Sequence, residues 1–243
     1  MQTHIFKTAA QVGQAAATLI AAQLLRKPDS ILGLATGSTP IPTYDALIAM
    51  HQAGVLDFSQ AISFNLDEYV GLAPEHPCSY HYFMQEQLFR HVNMRPEHIH
   101  IPDGHAADIA AAAHAYDAAI LAAGGIDLQL LGIGRNGHIG FNEPDEHFVY
   151  GCHEVALSQS TIEANQRFFD SEADVPRSAV SLGIGSIMQA RQVLLLATGE
   201  DKAEAVRRAI EGDVSPQWQA SILRTHPDAI FLLDEAAASL LGK

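Results

Sequence analysis

Five short apolar runs constrain the fold of this chain most: Ser30 to Leu34, Ala61 to Leu66, Ile126 to Leu131, Gln192 to Ala197 and Ala229 to Leu233. Each has the length of a buried strand, and helix-length segments separate them. Parallel neighbours need such crossovers, so the alternation predicts an α/β protein with a mostly parallel sheet and helices on both faces. Ala9 to Leu25 and Asp108 to Ala123 read as Ala-rich helices, and Ile41, Tyr44 and Leu47 with Ile48 mark the apolar face of a third. Asp201 to Glu211 reads as another helix and Asp234 to Leu241 as a short terminal one, while Gly71 to Ser79 and Asn142 to Gly151 read as functional loops or lids.

No Gly/Ser/Pro-rich linker, repeat or low-complexity block divides the chain, and 243 residues with 48% hydrophobic content suit one large core. A single domain over residues 1–243 is therefore expected. The net charge of -14, from 14 Lys and Arg against 28 Asp and Glu, argues against nucleic acid or an anionic membrane as partner. An anionic ligand would need a local basic site. Cys78 and Cys152 form no CxxC pair, which fits a reducing compartment better than a disulfide framework. Met1 to Ala10 lacks a basic region followed by an apolar run, and no stretch approaches the roughly 20 apolar residues of a membrane helix. The expectation is a cytoplasmic protein.

The first run leads into Ala35-Thr36-Gly37-Ser38-Thr39-Pro40 and then a helix. Gly37 permits an unusual dihedral, Pro40 sits where a first-turn proline loses no hydrogen bond, and the free N–H groups with the Ser38 and Thr39 hydroxyls can cradle a phosphate. The same residue types also serve as a plain helix cap. The second run ends in Asp67-Glu68. Adjacent residues there face different ways, so one acid can act as a base at a site while the other meets solvent or a structural partner. Magnesium is the rival use, but no further clustered carboxylates supply ligands. His76, Cys78 and His81 match no usual zinc spacing.

After the third run, Gly132-Ile133-Gly134-Arg135-Asn136-Gly137 matches GxGxxG. A dinucleotide site needs a helix directly after the glycines, whereas His138-Ile139-Gly140-Phe141-Asn142-Glu143-Pro144 reads as a loop, so NAD is not expected. The polar density of Asn136, His138, Asn142 and Glu143 points to acid/base chemistry at a strand end, with a self-bonded loop as the alternative. Arg167 and Lys202 are the candidate anion anchors, although either residue type is commonly a surface salt-bridge partner.

The segments LATGSTP, FNLDEYVGL, HPCSYHYFM, LLGIGRNGHIGFNEP, SQSTIEANQRFFD, AVSLGIGSIMQA and HPDAIFLLDEAA together resemble the glucosamine-6-phosphate deaminase family over nearly the whole chain. The resemblance implies a modified Rossmann-like fold without nucleotide, cofactor or metal, and conversion of glucosamine 6-phosphate and water to fructose 6-phosphate and ammonia. It makes Asp67 the base between C2 and C1 and His138 the ring-opening group, oriented and tuned by Glu143 and Asn136. Thr36, Gly37, Ser38, Thr39, Arg167 and Lys202 would hold the phosphate. Some family members carry Asp where this chain has Asn136, which implies a shifted pH profile. Members activated by N-acetylglucosamine 6-phosphate have basic residues after NEP. Here Asp145 to Glu154 is acidic and histidine-bearing, and the chain ends at Lys243. Effector-independent kinetics and a monomer or small homo-oligomer are expected. The rival readings are a 6-phosphogluconolactonase-like hydrolase, which needs no carboxylate at C2, and a non-catalytic sugar-phosphate sensor, which would not need the acid/base set.

Overall fold

The computed structural model describes residues 1–166, 169 and 171–242. Its central sheet has seven strands, β1 (Gln2–Phe6), β2 (Ile31–Leu34), β3 (Ile62–Asn65), β5 (Ile99–His100), β6 (Leu128–Leu131), β9 (Gln192–Ala197) and β10 (Ala229–Asp234), in the spatial order β1-β10-β9-β6-β2-β3-β5. Every pairing in it is parallel. From β2 the chain steps outward to β3 and β5, then returns to β6 on the other side of β2. A topological switch point therefore lies between β2 and β6, where α/β sheets open a crevice at their carboxyl ends.

Right-handed crossovers fix the helices. Those running toward β5 carry α1 (Ala9–Arg26) and α2 (Ile41–Gln52) on one face; those running back carry α4 (Ile109–Ala123) and α7 (Ala203–Glu211) on the other. Helix α1 starts where the Thr8 hydroxyl accepts the Gln11 N–H, and buries Val12, Ala16, Ile20 and Leu24 at helical spacing. It packs closely on α2, because a Cβ at Gly13 would stand 2.5 Å from Pro42 Cβ. On the opposite face, Tyr116 of α4 meets Phe64 of β3 edge to face at 5.6 Å.

A second, antiparallel sheet was not anticipated. Its strands are β4 (Asp67–Tyr69), β7 (His153–Ala156) and β8 (Ser178–Ser181), in the order β4-β8-β7. The expected Ala61 to Leu66 strand thus stops at Asn65, and the Leu182 N–H donates to Leu66 O at 2.8 Å, tying the second sheet to the end of the first. Tyr69, Phe141, Leu157, Ile162 and Ala179 form a small apolar cluster beneath it, separate from the main core.

Three other expectations change. Asp234 ends β10 instead of starting a helix: its carboxylate accepts the N–H of Ala237 at 2.7 Å and of Gly199 at 3.0 Å, and turns follow. Glu200–Lys202 is a 3-10 turn, and α7 begins only at Ala203. Pro40 is the cap residue of α2, and Pro42 is the proline in the first turn. No helix among the described residues is long and apolar enough to cross a membrane.

Candidate active site

At the carboxyl ends of β2, β3, β6 and β9 lies a cavity of about 270 Å³. The loops after β2 and β9 contribute Thr36 to Thr39 and Lys202, the first residue of β4 contributes Asp67, and the loop after β6 contributes Arg135, Asn136 and His138. Ser160, Thr161 and Asn165 of α5 (Gln159–Asn165) close it from the side of the second sheet. Nine of the ten residues singled out in the sequence are described. Eight of them line this cavity, and Glu143 stands behind it. Arg167 lies outside the described residues.

The β2 loop forms one wall of the cavity. Gly37 has φ +88°, a left-handed conformation that a side chain would strain, and this turns the loop across the pocket mouth before α2 begins. Tyr44 of α2 donates its hydroxyl to Ala35 O at 2.5 Å, fixing the loop to the helix behind it. Thr43 and Tyr44 return their N–H groups to Pro40 O, which closes the first turn of α2 directly behind the loop. Lys202 reaches the same cavity from the 3-10 turn after β9.

Asp67 is only 6% exposed. Burial pushes its carboxyl up to about 8; neighbouring Glu68 adds to the rise and a hydrogen bond with the Thr36 hydroxyl opposes it. Its Oδ1 has no hydrogen-bond partner among the described residues. Strand β4 aims the side chain here through its pairing of Asp67 with Ser181. Glu68 faces the other way, as expected of adjacent strand residues. The N–H groups of Tyr69, Tyr80 and His81 donate to its carboxylate at 2.8, 2.9 and 2.8 Å, which caps the start of α3 (Tyr80–Gln87). Burial still raises Glu68 despite these three donors.

His138 and Glu143 form the opposing pair, with Nδ1 and Oε2 3.5 Å apart. That spacing is an ion-pair approach; Nδ1 makes no well-aligned hydrogen bond among the described residues. A Cβ at Gly134 would lie 2.3 Å from the imidazole, so only glycine leaves the ring its place. Burial works against ionisation of Glu143, but His138 and the donors Thr161 and Asn136 outweigh it and hold the carboxyl down to about 2. Thr161 Oγ1 donates to Oε1 at 2.5 Å, the Ser158 N–H donates to Oε1 at 3.3 Å, and Asn136 Nδ2 donates to Oε2 at 2.6 Å. Asn136 therefore orients Glu143; its Oδ1 accepts the backbone N–H of His138 at 3.3 Å. Asn142 is structural, donating to Ile139 O and Leu182 O.

Sequence reasoning missed four contributors. Thr161 and Ser158 sit in the SQST segment, whose hydroxyl spacing of a helix start was the available signal: Ser158 also caps α5. Tyr80 lines the cavity, stacks on Phe141 at 5.9 Å and donates to Tyr69 Oη at 3.3 Å. Arg135 lines it too, paired with Asp201 at 2.8 Å. The arrangement offers an anion cradle, a buried carboxyl that keeps its proton near neutrality, and an imidazole backed by a carboxylate.

Known proteins share the sequence and fold of this chain. Residues 6–231 match the family described as glucosamine-6-phosphate isomerases/6-phosphogluconolactonase. The chain is 52% identical over 241 residues to a glucosamine-6-phosphate deaminase of Halothermothrix orenii, covering 99% of this chain and 100% of the relative. It is 53% identical to one of Clostridioides difficile, covering 100% and 97%. A solved monomeric glucosamine-6-phosphate deaminase superposes with a TM-score of 0.97 at 44% identity, covering 99% of this chain and 100% of that one. The 6-phosphogluconolactonase of Trypanosoma brucei shares the fold at a TM-score of 0.79 and 20% identity, covering 99% and 98%. The matched span and these identities place the chain in the glucosamine-6-phosphate isomerase/6-phosphogluconolactonase family.

Proposed function

We propose that this chain is a glucosamine-6-phosphate deaminase, converting glucosamine 6-phosphate and water to fructose 6-phosphate and ammonia. The observation that carries the reading is Asp67: a buried carboxyl raised to about 8 that faces the cavity across from a His138–Glu143 pair and beside an anion loop. The named relatives, about half identical over their full length, support the same substrate. A lactonase has no use for a proton carrier at C2, so the carboxylate wall favours the deaminase.

Each residue then has a task. The Thr36 to Thr39 loop with Lys202 and Arg167 holds the phosphate, which fixes C1 and C2 at the far end of the cavity. His138 moves the proton between the anomeric hydroxyl and O5 that opens the ring, while Glu143 stabilises its imidazolium and Asn136 holds Glu143. The substrate's C2 ammonium favours the ionised form of Asp67, which takes the C2 proton and returns it to C1. The resulting C2 imine takes up water and releases ammonia. The chain acts as a monomer or small homo-oligomer without effector activation, in line with the monomeric relative. Ammonia release from glucosamine 6-phosphate by purified protein, with Asp67→Asn as the paired variant, tests the reading; no release by the wild type, or full release by the variant, refutes it.

A further inference from the structure

Arg135 is one of the three non-glycine residues of the Gly132 to Gly137 motif and is not needed for any step above. Its location is set by the sheet. Strand β6 lies between β9 and β2, so the loop after it stands between the 198–202 turn and the Thr36 to Thr39 loop. Arg135 lines the cavity there together with Lys202 and Asp201. Its Nε donates to Asp201 Oδ2 at 2.8 Å, which leaves both terminal nitrogens of the guanidinium without a partner among the described residues. Asp201 presents a carboxylate to the same anion-accepting end, in a chain of net charge -14. A phosphate dianion entering beside an unbalanced Asp201 would be repelled, whereas a guanidinium held by one edge cancels that charge and offers its second edge to phosphate oxygens.

We propose that Arg135 is a further phosphate-binding residue, whose pairing with Asp201 both neutralises the acidic rim and points the guanidinium at the substrate's phosphate. This rests on the sugar-phosphate reading above. A simple tether between two loops would behave differently. If the pair only ties the loops together, loss of either partner breaks the same bond and weakens ligand binding alike. If Asp201 opposes the anion and Arg135 offsets it, the two single variants move in opposite directions.

The test measures calorimetric affinity for inorganic phosphate and KM for glucosamine 6-phosphate in the wild type, Arg135→Ala, Asp201→Asn and the double variant. Arg135→Ala should weaken phosphate binding and raise KM about tenfold, with the loss falling on KM and shrinking as salt rises. Asp201→Asn should tighten both about twofold, and the double variant should lie between the two singles. An unchanged phosphate affinity in Arg135→Ala, or equal weakening in both single variants, overturns the proposal. The phosphate arm does not depend on turnover. A wild type that shows this pattern with phosphate but releases no ammonia supports the Arg135 assignment while refuting the deaminase reading.

Discussion

Asp67 faces the cavity and Glu143 stands behind His138 on its other side, and the two carboxyls, both largely removed from water, are driven to opposite charge states. Burial lifts Asp67 to about 8, with a Thr36 hydroxyl as its opposing hydrogen bond. Glu143 is buried too, yet His138, Thr161 and Asn136 bring it down to about 2. Glu68 shows that neutral donors alone do not explain the difference, since three backbone N–H groups leave its carboxyl raised. What Glu143 has in addition is an imidazole able to carry positive charge. One site thus keeps a proton carrier and a fixed anion, set by surroundings and not by residue type.

The largest effect that can break this contrast is on turnover. Asp67→Asn removes the proton carrier and should lower kcat for ammonia release about 10³-fold, whereas Glu68→Gln, off the cavity, should act on stability far more than on kcat. Assays of both variants at saturating substrate separate the adjacent acids. His138→Gln should cost about 10²-fold with the closed sugar and clearly less with an open-chain analogue. Equal losses with both substrates would remove the ring-opening role.

Stability against pH sharpens the same contrast. The folded state holds the Asp67 proton more tightly than the unfolded chain does, so its contribution is fully present below about pH 4 and is lost as pH rises through about 8. Asp67→Asn should therefore raise the Tm by an amount that grows between pH 4 and pH 8. Glu143 has the opposite sign. Its lowered carboxyl stabilises the fold above pH 4.5, a contribution lost as pH falls through about 2. Glu143→Gln should lower the Tm throughout the neutral range, and by less toward acid. The smallest expected change is Thr161→Val, which removes the 2.5 Å donor to Glu143 and should cost about 1 kcal/mol in urea unfolding at pH 7.

The parts of this site legible in the sequence are those carried by local pattern. The apolar runs located five of the seven parallel strands, and the loop-like residues from His138 onward correctly denied the glycine motif a helix. Edge strand β1 escaped because Gln2–Phe6 is half polar and mostly exposed. The antiparallel sheet escaped because its three short strands lie far apart in the chain and meet only in the fold, where β8 pairs with both β4 and β7. The same distance hid Thr161 and Ser158: their bonds to Glu143 span 18 and 15 positions, beyond any motif. Asn136 was placed in the right cluster but assigned to the imidazole; the structure gives its amide to Glu143.

The contrast can be read directly by carboxyl-carbon NMR titration of the wild type, with the Asp67 and Glu143 signals assigned from Asp67→Asn and Glu143→Gln. The Asp67 signal should move with a midpoint near 8 while the Glu143 signal stays in its ionised position from pH 4 upward. Two carboxyls titrating together near the ordinary range of about 4 would contradict it.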